Sequence, residues 1–206
     1  MATAVFRAIC SVAVMGSMAL AAPVSAQYQS EGYKFLEAVE ERDGSVVTDF
    51  LKQPGSVVVN TRDITSGETA LHIVARRRDA VWIRFLTQNG ANPNVRDKNG
   101  ETPLQIATVV GPLESISALL DAGAMIDETN AAGETPLIAA VHRRDVPMVR
   151  LLLAEGANPD RNDNSGRSAR DYVQLQSSNG LLLGEFTKAD EARTQGQETK
   201  TYGPTF

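Results

Sequence analysis

Gly67-Glu68-Thr69-Ala70-Leu71, Gly100-Glu101-Thr102-Pro103-Leu104 and Gly133-Glu134-Thr135-Pro136-Leu137 are one phrase written three times, and Gly166-Arg167-Ser168-Ala169-Arg170 is a worn fourth copy. Successive glycines lie 33 residues apart. Three or more units at a fixed period of this size describe a stacked solenoid, in which each unit buries its apolar face against its neighbours. Within a unit the phrase is followed by an apolar stretch such as Leu71, Ile73 and Val74, a charged break, and a second apolar stretch such as Val81, Ile83, Phe85 and Leu86. Asn89-Gly90-Ala91-Asn92-Pro93 then closes the unit. The spacing predicts two short antiparallel helices and a loop. Thr69, Thr102 and Thr135 are placed as hydroxyl N-caps, and Pro103 and Pro136 stand at the first helical position, where a missing N–H costs nothing. Gly90, Gly123 and Gly156 follow the second helix, where a left-handed C-cap favours a residue without Cβ.

Working outward, Tyr33–Arg42 and Ser45–Lys52 read as a helix pair without the repeated phrase, and Asn60-Thr61-Arg62-Asp63 echoes Asn94-Val95-Arg96-Asp97. This predicts an N-terminal capping repeat over 33–66, with a loop enlarged at Gln53–Ser56. Three full repeats follow at 67–99, 100–132 and 133–165, then a C-terminal cap at 166–192. In that cap Arg170 replaces an apolar residue, so its first helix is expected to turn a polar face to water. Leu182, Phe186 and Ala189 share one side of the second helix, expected over Leu181–Ala192. Arg193 to Phe206 is polar and reads as a disordered tail.

Ahead of the array, the apolar run Ala8–Ala22 is short for a membrane span, and Val24-Ser25-Ala26 has small residues where a signal peptidase reads. A signal peptide cleaved after Ala26 is expected, and with it a periplasmic or secreted protein free of membrane. Cys10, the single cysteine, lies in the segment removed. The remaining chain has 19 Lys plus Arg against 25 Asp plus Glu, a formal charge of 19 − 25 = −6. That balance is wrong for a nucleic-acid partner. Two histidines far apart in the chain, no cysteine-based metal site, no nucleophile elbow and no phosphate loop argue against an enzyme and against a cofactor.

The phrase Gly-x-Thr-Pro-Leu-His, a second helix ending in Leu-Leu, Gly-Ala-Asn-Pro and Asn-x-x-Asp-x-x-Gly resemble the ankyrin repeat over roughly Asp63 to Asp171. The resemblance implies an all-α repeat solenoid of stacked helix-turn-helix units with β-hairpin fingers, working by protein–protein interaction. Ala70 departs from the family's proline, Gln105 and Ile138 from its histidine, and Thr87 from its second leucine. His72 stands where the family's histidine ties a loop to the helix start, a structural role. Partners of similar proteins touch the finger tips and the ends of the first helices. Carried over, these positions are Arg76 and Arg77, Val109 and Val110, and His142 and Arg143, with Lys98, Asn99 and Ala131 among the tips. An apolar pair flanked by basic residues on an acidic protein would suit an acidic segment of a protein partner bound by a monomer. The same cations stand at helix C-termini, where dipole and carbonyls alone can account for them. Beside a periplasmic binding module stand two other readings, a secreted effector acting on a host protein and a protective accessory of an exported redox enzyme.

Overall fold

The computed structural model describes residues 30–53, 57–175 and 180–200. The expected signal peptide, most of the enlarged loop at Gln53–Ser56 and residues 201–206 of the tail lie outside these residues.

Among the described residues ten α-helices run in pairs: α1 (Glu31–Glu41) with α2 (Gly44–Leu51), α3 (Ala70–Arg76) with α4 (Ala80–Gln88), α5 (Pro103–Val110) with α6 (Leu113–Asp121), α7 (Pro136–His142) with α8 (Val146–Ala154), and α9 (Ala169–Leu175) with α10 (Gly180–Lys200). The first helices pack on one another in the order α1, α3, α5, α7, α9 and form an inner layer, while α4, α6, α8 and α10 succeed one another as an outer layer. Helices of seven to nine residues are too short to stand alone in water, so stacking must hold them. Equivalent residues supply the core in columns: Leu71, Leu104 and Leu137; Val74, Ala107 and Ala140; Ile83, Ile116 and Val149; Leu86, Leu119 and Leu152, all buried. Each large aliphatic side chain so buried contributes about 1.5 to 3 kcal/mol.

Local chemistry starts each helix where the sequence places it. The Thr102 hydroxyl accepts from Gln105 N at 3.3 Å and the Thr135 hydroxyl from Ile138 N at 3.2 Å. The outer helices α4 and α8 use carboxylate caps, Asp79 accepting from Trp82 N at 3.2 Å and Asp145 from Met148 N at 3.1 Å, whereas α6 follows Pro112 without a side-chain cap. Gly133 shows why the repeated phrase opens on glycine: its φ is 78°, and a Cβ there would meet the backbone N of Asn164 at 2.6 Å.

The expected β-hairpin fingers are not built as ladders. Each is a tight turn closed at its base by two backbone bonds, one from the Asp or Asn N–H, Asp63 N to Glu68 O at 2.8 Å, Asp97 N to Glu101 O at 2.9 Å, Asn130 N to Glu134 O at 3.0 Å and Asp163 N to Arg167 O at 2.9 Å, and one returned to the same residue's carbonyl by Gly67, Gly100, Gly133 or Gly166. The side chains of Asp63, Asp97, Asn130 and Asp163 accept the backbone N–H groups inside the turn, so donors that a second strand would satisfy are already satisfied locally. Among the described residues the one β-bridge is Asn162 with Ser168. Neighbouring turns are stitched across repeats by Arg62, which donates to Gly67 O and Arg96 O, and by Arg96, which donates to Gly100 O and Thr129 O.

The C-terminal cap differs from expectation in two ways. Arg170 does not face water: it donates to Asp160 at 2.7 Å and Asp190 at 2.8 Å and lies over the Phe186 ring at 5.7 Å. A polar residue in an apolar slot is stabilised here by two carboxylates that accept its fork, one of them on α10. In addition, α10 continues through Arg193 to Lys200, past the point where a disordered tail was expected to begin. Leu182 and Phe186 are buried and Ala189 is partly buried, on the side foreseen.

Candidate functional site

At the last residue of α3, the penultimate residue of α5 and the last of α7 stand Arg76, Val109 and His142, one per repeat. Below them, at the finger bases, stand the glutamates of the repeated phrase, Glu68, Glu101 and Glu134. Arg76 grips Glu68 with both guanidinium nitrogens. His142 Nδ1 lies 3.3 Å from Glu134, and its ring meets Tyr172 edge-on at 4.4 Å. In the middle repeat the corresponding residue is Val109, which is 60% exposed. Glu101 consequently has no cation from its own repeat. Burial and the neighbouring Asp97 hold its carboxyl above the usual range, against the opposing pull of Arg76. The glutamates were legible only as scaffold. Their signal was the spacing of eight from Glu68 to Arg76 and from Glu134 to His142, which sets an acid beside a base in two repeats but not in the third.

One residue further along, the structure gives the basic positions a different use from the one expected. Arg77 donates to Val39 O at 2.6 Å and to Glu40 O at 3.5 Å, lies over the Trp82 ring at 5.3 Å, and has a side chain only 15% exposed. Burial and the charge of Arg42 lower its pKa against the pull of Asp79, whose carboxylate stands 3.5 Å from Nη2, and its Nε lacks a hydrogen-bond partner. Arg143 repeats the contact two units on, donating to Thr108 O and Val109 O. Each therefore caps the last carbonyls of the first helix in the preceding repeat, a stacking contact rather than a free cation. Val110 holds the equivalent place in the middle repeat and is half-buried. Trp82 packs edge-on against Phe85 at 5.8 Å, a role in packing.

The finger tips are tied as well. Lys98 donates through N to Ser66 O at 2.9 Å and through Nζ to Ile64 O at 2.5 Å. Asn99 is turned onto Asp97, and the Ala131 carbonyl accepts from Asn164 Nδ2 at 3.1 Å. Of the nine positions carried over, Arg76, Val109 and His142 form one row on the face shared by inner helices and fingers. Of the other six, Arg77, Lys98, Ala131 and Arg143 hold repeat to repeat, Asn99 closes its own turn, and Val110 is half-buried at the end of α5.

The protonation of His72 follows from its partners. A backbone N–H can only donate, so Thr69 N at 3.0 Å makes His72 Nδ1 an acceptor, and Nε2 carries the proton that reaches Glu101 O at 3.1 Å. Burial pushes this imidazole below its ordinary 6.5. Gln105 reproduces the first bond, accepting from Thr102 N at 2.8 Å, but donates to Glu128 O at 2.9 Å rather than to Glu134 O, the counterpart of Glu101 O, while Ile138 can make neither bond. Among the described residues no group of three or more His, Cys, Asp or Glu could hold a metal ion. No described helix is long and apolar enough to cross a membrane.

Paired short helices, turned fingers and the polar stitches between them agree with two family models of ankyrin repeats. One, for three copies, matches residues 35–130, and one, for many copies, matches 111–153, together more than half the chain. The chain belongs to the ankyrin-repeat family. Members of this family generally work by protein–protein interaction. Similar stretches occur in glycerophosphocholine phosphodiesterase gde1 of Schizosaccharomyces pombe, 39% identical over 32% of this chain and 6% of that protein. They occur too in oxysterol-binding protein homolog 1 of Saccharomyces cerevisiae, 30% identical over 37% and 7%, and in neurogenic locus notch homolog protein 1 of Xenopus laevis, 39% over 34% and 3%. The chain spans less than a tenth of the length of these relatives. The match to the phosphodiesterase covers 66 residues, and no activity passes with it.

Proposed function

We propose that this ankyrin array is a non-enzymatic binding module that holds a protein partner on its concave face, along the row Arg76, Val109 and His142. The observation that carries the reading is the one large apolar side chain in that row, Val109, 60% exposed and flanked by the Arg76–Glu68 ion pair on one side and the His142–Glu134 contact on the other. An apolar spot inside a polar frame, on a scaffold already ordered by stacking, suits a segment that gains contact while the array loses little entropy. The acidic partner expected from sequence is not what the charges favour. Arg77 and Arg143 are committed to carbonyls, and Arg76 to Glu68.

We propose as well that the protein is exported to the periplasm with its leader removed. Cleavage after Ala26 would leave Gln27 as the first residue of a periplasmic protein, which N-terminal sequencing of protein recovered from that compartment would show; an intact Met1 would sink it. The binding face is tested by placing a photo-crosslinking amino acid at Val109, at His142 and, as control, at Arg84 on α4, in the producing cell. Adducts at the first two positions and none at the third are expected. Adducts confined to the outer helices would overturn the reading.

A further inference from the structure

Repeats one and three each complete an acid–base pair across the inner face, Glu68 with Arg76 and Glu134 with His142. The middle repeat keeps the acid and replaces the base with valine. Glu134 is further engaged by Asn130 Nδ2 at 3.1 Å, whereas no described side chain donates to the Glu101 carboxylate. Between the two glutamates lies a recess of about 20 Å³, lined by Glu101, Thr108, Val109, Glu134, Pro136 and Ala139. That volume holds one water-sized group. A compact ammonium matches it more closely than the larger planar guanidinium fork.

We infer that the partner supplies the missing base: a lysine whose ammonium sits between Glu101 and Glu134 and whose aliphatic stem lies on Val109. This rests on the reading of the row as a protein-binding face. A lysine stem is apolar over its length and charged at its tip, so one side chain matches both the exposed valine and the carboxylate beyond it. Discharging Glu101 against a cation also relieves its repulsion from Asp97 and Glu68.

The test uses the full chain and four labelled decapeptides, identical except for a central Lys, Arg, norleucine or Glu between apolar neighbours, titrated by fluorescence polarisation. The Lys peptide should bind about tenfold or more tighter than the norleucine and Glu peptides, and tighter than the Arg peptide. Glu101→Gln should erase that preference. Val109→Arg, which would build in the pair that Arg76 makes with Glu68, should abolish binding of the Lys peptide without lowering the melting temperature. Equal binding of the four peptides, a preference that survives Glu101→Gln, or no binding of the Lys peptide at millimolar concentration overturns the inference. Preference for the Glu peptide that survives Val109→Arg would move binding to the open groove between α8 and α10, of about 490 Å³, where Arg150 and Lys188 pair with Glu185 and Arg193 lines the wall. Crosslinks at Val109 without any lysine preference would spare the face and refute its lysine. No crosslink there would refute both.

Discussion

At the residue scale, His72 is a buried base kept neutral by its partners. Its folded pKa lies below the unfolded value, so the unfolded chain binds the proton more readily. The stability His72 contributes is complete above about pH 6.5 and is lost as the pH falls towards its folded pKa. Melting temperatures of the wild type and His72→Gln should therefore diverge less at pH 5 than at pH 8, since Gln105 shows that an amide at this position can accept the same capping N–H and donate to a backbone carbonyl of the finger without titrating. A constant difference between the two proteins across that range would refute this. Arg144 is a second case. Its φ is 55°, a left-handed conformation that costs a side-chain-bearing residue about 1 kcal/mol, and its counterpart Gly111 takes φ 95° without a Cβ. Arg144→Gly should raise the melting temperature by a few degrees, about 1 kcal/mol or less in stability. A lower melting temperature would mean that the exposed guanidinium contributes more than the strain removes.

At the element scale, Arg143 and Arg76 separate two jobs that their sequences do not distinguish. Arg143→Ala removes a bond from α7 to the last carbonyls of α5 and should cost about 1 kcal/mol in denaturant melts. Arg76→Ala breaks an ion pair with a half-exposed guanidinium and should cost a few tenths. The reverse ranking would return Arg143 to the pool of free cations. Arg170, on α9, is the clasp that holds α10. Arg170→Ala leaves Asp190 and Asp160 unpaired and uncovers the Phe186 ring, at a cost of about 1 to 2 kcal/mol, read as faster amide exchange along α10. Exchange unchanged in α10 would show that Leu182 and Phe186 hold the helix without it.

At the scale of the whole molecule, each repeat touches only its neighbours, so damage should stay local at an end and spread from the middle. Trp82, the single tryptophan, sits in α4 near the N-terminal end and reports there alone. In Arg170→Ala, Trp82 fluorescence should melt later than far-UV dichroism, because the C-terminal cap lets go first. In Leu104→Ala the two signals should fall together, with a loss of about 2 to 5 kcal/mol from the central column. Coincident transitions in Arg170→Ala would mean that the array is cooperative from end to end.

The period of 33, the threonine caps and the glycines at each phrase determined the fold by themselves, because caps and left-handed turns depend on residues three or four positions apart. Leu182 and Phe186 on α10 were legible for the same reason, as a helical face is a local period. Tertiary structure alone decided what the cations do. Arg77 and Arg143 meet carbonyls 38 and 35 residues away, and Arg170 meets a carboxylate 20 residues on, distances at which charge looks free in a sequence. Stacking also placed Glu101 opposite Val109, the one repeat in which the acid of the shared phrase is left without its base.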